Sequence, residues 1–209
     1  MHSYRTIEAP AFAEYIEKRS RFLAQAVPVC TAEEALAVIE AAKTKYWDAS
    51  HNCSAYILRS GGTQRYSDDG EPQGTAGVPM LEVLRRESFT DLAVVVTRYF
   101  GGTLLGAGGL VRAYSHSTKL VLQSANPIEM RMCNVFSLEM DYNGYGRIEA
   151  LLGAFGASVL DTSFGEKAAL TARMETENWH RFVKELAEQT AGRIQADILR
   201  QEYAAFPVL

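Results

Sequence analysis

The stretch DLAVVVTRYFGGTLLGAGGLVRAYSHSTKLVLQSA, residues 91–125, decides how the first half of the chain is built. Its opening run is apolar and rich in β-branched residues, the mark of a strand covered on both faces. The stretch from residue 108 onward places Leu110, Ala113 or Tyr114, Ser117 and Val121 at helical spacing. Between strand and helix lie five glycines, Gly101, Gly102, Gly106, Gly108 and Gly109, bracketed by Arg98 and Arg112. A glycine-dense loop in that position can turn its backbone amides toward a phosphate. Glycines also permit tight turns and close helix–strand packing. Neither named phosphate loop fits. A Walker A loop needs Gly-Lys-Ser/Thr where this chain has Gly106-Ala107-Gly108, and a dinucleotide fingerprint needs Gly or Ala where Val111 stands.

Upstream, RYSDDGEPQGTAGVPML, residues 65–81, gathers Asp68, Asp69 and Glu71 beside Arg65 and Tyr66. Three readings stay open. The carboxylates can hold Mg²⁺ through oxygen ligands, bond their own backbone in a turn, or orient Arg65, Arg98 or Arg112 by charge-assisted pairing. The last ties both unusual stretches together. It predicts a carboxylate within hydrogen-bonding distance of one of those arginines, at the mouth of a pocket lined by residues 101–109.

Outward from this pair, strands and helices alternate, which implies layers of helix on sheet. YIEKRSRFLAQAVPV reads as one strand. Thr31 and Glu34 form a capping box for a helix carrying Leu36, Ile39 and Ala42 or Lys43 on its apolar face. CSAYIL is a short strand, a helix begins near Pro79, and Asn126-Pro127 breaks the chain. The rest follows a β-α-β-β-α-β order: CNVFSLEMDY, a helix closing on Gly156, a hairpin across Gly165-Glu166, a helix with Thr176 as its cap, and a last strand. Trp179, Phe182 and Leu186 fall at core spacing on that helix. The boundary falls between residues 1–130 and 131–209.

With 209 residues, 47% hydrophobic and 22% charged, the composition is that of a soluble globular protein. Its formal charge of −4 divides into 13 Lys/Arg against 14 Asp/Glu over residues 1–130 and 8 against 11 over residues 131–209. No basic coat is present, so any nucleic-acid reading rests on local placement. Three cysteines without short spacing, no signal peptide and no membrane-length apolar run imply a reducing, cytoplasmic setting. Of the four histidines, His51 stands two residues before Cys53, but no second pair completes a zinc site. No metal, cofactor or catalytic residue is assigned.

The two stretches together, with KRSRF at residues 18–22 and HNCSAY at residues 51–56, closely resemble the Impact/YigZ family. The resemblance implies an α+β, two-domain chain. Its N-terminal domain would be similar to the second domain of ribosomal protein S5, a fold also found in domain IV of elongation factor G. Its C-terminal domain would be ferredoxin-like, similar to that factor's domain V. Eukaryotic relatives modulate a translation-control kinase pathway by binding a ribosome-associated activator; their N-terminal RWD module is not expected here, so that partner-binding role is not expected to carry over. The resemblance and the motifs together suggest a translation-associated protein that binds RNA or the ribosome. Arg65, Arg98 and Arg112 would contact phosphate with the loop glycines, flanked by His51, Tyr66 and Tyr99, while Asp68, Asp69 and Glu71 hold the arginines. Alternatives are an enzyme acting with Mg²⁺ on a phosphorylated small molecule, and a protein-binding module without ligand chemistry.

Overall fold

A computed structural model describes residues 3–208. The chain divides into two compact units whose principal segments are Tyr4–Glu129 and Met130–Phe206. Among the described residues, no helix is long and apolar enough to cross a membrane.

The first unit is built on strand β6 (Leu92–Tyr99), the centre of a sheet ordered β2-β3-β6-β4-β5. Its partners are β2 (Ala11–Glu17), β3 (Ser20–Pro28), β4 (His51–Ile57) and β5 (Gln64–Ser67), and every neighbouring pair is antiparallel. The reason for the unbroken apolar run in β6 is visible in its alternation. Leu92, Val94 and Val96 pack with helices α2 (Gly77–Arg86) and α3 (Gly106–Ser124). Ala93 and Val95 pack on the opposite side with helix α1 (Ala32–Lys45). Each valine or leucine among them taken from water contributes about 1.5–3 kcal/mol. The α3 face reads as expected, with Leu110, Ala113, Tyr114, Ser117 and Val121 all buried.

Several local expectations change. YIEKRSRFLAQAVPV is two strands, β2 and β3, because Lys18 and Arg19 adopt φ of 44° and 69° and turn the chain. Two-residue hairpin turns with positive φ at both positions usually use Asn or Gly, so a Lys-Arg turn carries no composition signal. Two short strands are additional: β5, which puts Arg65 and Tyr66 on a sheet edge, and β1 (Ser3–Ile7), whose Arg5 carbonyl accepts from the Thr90 amide. On α1 the buried face is Ala35, Ile39 and Ala42, while Leu36 is 53% exposed. The Thr31 hydroxyl accepts from the Glu34 amide, and Glu34 in turn accepts from the Cys30 amide, a capping box displaced by one residue.

Strand β7 (Pro127–Met140) starts at Pro127, just past the end of α3, and most of it belongs to the second unit. It is followed by α4 (Tyr145–Ala154), β8 (Ser158–Phe164), β9 (Ala168–Glu175), α5 (Trp179–Thr190) and β10 (Ala196–Pro207). The β-α-β-β-α-β order is therefore present, with β9 between β7 and β8 and β10 beside β7. Phe136, Leu138 and Met140 of β7 meet Ile148 and Leu152 of α4 and Phe182 and Leu186 of α5. Trp179 packs edge-on against Phe136. Thr176 opens a short 3₁₀ turn and does not cap α5, which begins three residues later.

Candidate functional site

The three carboxylates of the acidic turn have three different jobs. Asp68, just past β5, accepts hydrogen bonds from the amides of Gly74 (2.8 Å), Ala76 (3.1 Å) and Gly77 (2.8 Å). The last two lie at the start of α2, so Asp68 satisfies donors the helix leaves open and places a negative charge at its positive end. Asp69 accepts from the Asn52 amide of β4 at 2.7 Å, with Lys43 at 3.8 Å. Glu71 turns inward, 7% exposed, and accepts from Arg98 at 2.6 Å and from the Tyr114 hydroxyl at 2.8 Å. The expected carboxylate–arginine pair is thus Glu71–Arg98, whereas Asp68 and Asp69 bind backbone.

Arg98 lies on β6 with the same facing as Val94 and Val96, opposite Phe22 of β3 and His51 of β4. It is only 5% exposed, its guanidinium lies over the rings of Phe22 and Phe100, and its Nε has no hydrogen-bond partner. Such a residue cannot serve as a surface phosphate contact without movement. It instead anchors the acidic turn. His51 is half-buried behind that turn. Its Nδ1 faces the Asp69 carbonyl at 2.9 Å and therefore carries the hydrogen, leaving Nε2 3.8 Å from Glu71. Next to this cluster, the Cys53 thiol is 3.0 Å from the Asp68 carbonyl and 3.4 Å from the Tyr114 hydroxyl. Burial pushes Cys53 up to about 12, and burial first, then Cys53 and Glu71, push Tyr114 up as well. A thiol held protonated in this way is no nucleophile at neutral pH.

The glycine loop divides by cause. Gly101 is a packing glycine: an added Cβ would lie 2.1 Å from the Arg19 carbonyl carbon. Gly102 and Gly106 have φ of 81° and 69° and open space around them, so they serve the turn. Gly108 and Gly109 fall in the first turn of α3, where no side chain caps the helix. Arg112 is exposed one turn along, Arg65 is exposed and, among the described residues, donates only to the Gln64 carbonyl, and Tyr66 is 53% exposed. The Tyr99 hydroxyl donates to Asp48 at 2.8 Å.

A pocket lined by the whole loop with the Glu71–Arg98 pair at its mouth is not what forms. A cleft of about 630 Å³ does include Gly109 and Arg112, but its other walls are α2, the length of α3 and the β2–β3 hairpin. It brings in Lys18, from the KRSRF landmark, and Tyr15, Arg86, His116 and Lys119, which do not stand out in the sequence alone. The only linear trace is Arg112, His116 and Lys119 at four- and three-residue steps along one helix face.

Mg²⁺ finds little in the acidic turn, since both oxygens of Asp68 face amides and Glu71 is taken by Arg98 and Tyr114. Among the described residues, no three His, Cys, Asp or Glu side chains are grouped to hold a metal ion.

A two-unit α+β chain with this acidic turn and glycine loop defines a class that comparisons with known proteins name. Residues 18–122 match the Impact N-terminal domain, and residues 138–193 match a domain of unknown function, DUF1949. The chain belongs to the IMPACT family. It is 37% identical to the IMPACT family member YvyE of Bacillus subtilis, over 92% of this chain and 89% of that one. It is 31% identical to the family member YigZ of Escherichia coli, over 93% and 97%. The Protein IMPACT homolog of Dictyostelium discoideum is 34% identical over 57% of this chain and 35% of its own length. A solved structure, described as the crystal structure of a hypothetical protein, superposes with a TM-score of 0.61 at 30% identity, covering 96% of this chain and 98% of that one.

Proposed function

We propose that this protein is a cytoplasmic, translation-associated regulator whose first unit binds RNA or the ribosome. The observation that carries the reading is the start of α3, where residues 106–109 present an uncapped, glycine-rich helical turn beside the exposed Arg112. Free amides and the helix dipole favour a phosphate there, and the guanidinium adds a bidentate donor. Arg65 would meet a second phosphate from the sheet edge, and Tyr66 and Tyr99 offer faces for bases. His51, Arg98, Asp68, Asp69 and Glu71 would act from behind, fixing the loops that carry these groups. The same reading takes the first unit as similar to the second domain of ribosomal protein S5 and the second as ferredoxin-like.

Filter binding to single-stranded RNA and to purified ribosomes across a salt series tests it. Affinity should fall steeply with salt. Arg112→Ala and Arg65→Ala should each weaken binding and flatten the salt slope by about one unit. Absence of binding at low salt, or binding indifferent to salt and to both substitutions, would end the proposal.

A further inference from the structure

The cleft beside α3 holds an excess of positive charge that the fold does not need. Lys18, Arg86, Arg112 and Lys119 line it against Glu17 and Glu87, four cations to two carboxylates, a local +2 in a chain of formal charge −4. Among the described residues, these four cations make no ion pair or side-chain hydrogen bond. Elsewhere in the unit Arg21, Arg59, Arg85 and Arg98 each have a carboxylate partner, while Arg65 donates to a backbone carbonyl. Glu17 accepts from the Tyr15 hydroxyl at 2.6 Å, which holds the carboxylate beside Tyr15 and leaves its charge within that local sum. Cations on a flat surface are simply hydrated. All four are exposed and line one cleft, where charges of one sign raise the local potential and favour a bound anion.

The remaining lining is not polar throughout. Val83, Leu105 and Ala113 supply an apolar wall. At one side Tyr15 and His116 meet edge to face, ring centroids 4.5 Å apart, which gives the cleft an aromatic wall. A volume of about 630 Å³ falls in the range of small-molecule sites, and an anion alone would leave most of it empty. We propose that this cleft binds a phosphorylated small molecule of mononucleotide size. Arg86, Arg112 and Lys119 take the phosphate and the Tyr15–His116 wall takes the ring. Arginine suits the first task because its planar fork matches two phosphate oxygens at once. The site shares Gly109 and Arg112 with the proposed RNA-binding face, so the substitutions that distinguish the two readings are placed at Arg86, Lys119 and Tyr15, outside that face.

Titration calorimetry on the full chain, with AMP, adenosine and inorganic phosphate as probes, tests the proposal. AMP should bind at least about tenfold more tightly than either fragment, because neither fills both halves of the cleft. Arg86→Gln combined with Lys119→Gln should weaken AMP by about tenfold or more while leaving the melting temperature and any RNA affinity in place. Tyr15→Leu should weaken AMP but leave the weak phosphate affinity unchanged. The proposal is overturned by no AMP binding at millimolar concentration, by adenosine binding as well as AMP, or by AMP affinity indifferent to the double substitution.

Discussion

Arg98 and Glu71, 27 residues apart in the chain, meet at 2.6 Å with both side chains buried. The contact joins the central strand to the acidic turn, which also bonds to His51 and Asn52 at the start of β4. Glu71 also accepts from Tyr114, so one carboxylate links β6, α3 and the loop leading into α2. Desolvating two charges is expensive, and the pair persists because each meets the other and further polar groups nearby.

Removing either partner leaves the other charge buried alone. Glu71→Ala and Arg98→Ala should each cost about 3–5 kcal/mol in urea unfolding. In a double-mutant cycle the second substitution should then cost much less, with coupling of about 0.5–3 kcal/mol. Strict additivity would mean that the two side chains do not act as a pair.

Asp68 makes a separate prediction, because its bonds are all to backbone. Asp68→Ala should cost about 1–2 kcal/mol, the upper part of the range for losing a helix cap. Hydrogen exchange should quicken at Gly74, Ala76 and Gly77, whose amides it accepts, and stay unchanged at the far end of the helix. Equal protection of those amides in the variant would rule out the capping role.

What the sequence made legible was whatever one element decides by itself. The apolar run of β6 and the spacing of Leu110, Ser117 and Val121 on α3 follow from burial on fixed periods, and both are where the pattern puts them. The Lys18-Arg19 turn was hidden because neither residue type advertises positive φ. Strand β5 was hidden because it is four mostly polar residues on a sheet edge. That a carboxylate of the turn would meet an arginine was readable. Which one was not, since Asp68, Asp69 and Glu71 are chemically alike and the choice is made by the register that sets Arg98 opposite Phe22 and His51. The cleft was hidden for a related reason. Lys18, Arg86 and Lys119 come from three elements, and only folding brings them together.

The buried thiol and phenol make stability depend on alkaline pH. In the unfolded chain the Cys53 thiol ionises near its ordinary value of 9.0, while burial holds it protonated in the fold up to about 12. The fold therefore binds a proton that the unfolded chain releases. This contribution is fully present below 9, shrinks as pH rises above it, and is gone once pH passes the folded value. Tyr114 is shifted in the same direction. Urea midpoints should fall steadily above pH 9, and Cys53→Ala should make that fall shallower. At pH 8, iodoacetamide should label the exposed Cys30 while Cys53 and Cys133 stay protected until the chain unfolds. Fast labelling of Cys53 in the folded protein would contradict its burial.

Alanine placed at three glycines of one loop should give three different outcomes. At Gly101 a new Cβ lies 2.1 Å from the Arg19 carbonyl carbon and 2.2 Å from its oxygen, both backbone atoms of the β2–β3 turn. Relief requires moving the hairpin, which would also disturb the Gly101 amide's bond to Ser20 at 3.2 Å. The expected loss is about 3 kcal/mol, the top of the usual range for overpacking. At Gly102 the surroundings are open but φ is 81°, so the cost is backbone strain of about 1–2 kcal/mol. At Gly108 the φ is not left-handed and the nearest atom is the mobile end of Arg112 at 3.6 Å. Alanine in that first helical turn should be neutral or stabilise by up to about 1 kcal/mol. Thermal melts should therefore rank Gly101→Ala lowest, Gly102→Ala between, and Gly108→Ala at or above the parent. Gly108→Ala also sets a methyl group on the turn proposed to meet phosphate. If RNA binding weakens in that variant while its melting temperature holds or rises, the glycine is there for the ligand. If Gly101→Ala melts with the parent, the close approach of the loop to the hairpin is not real.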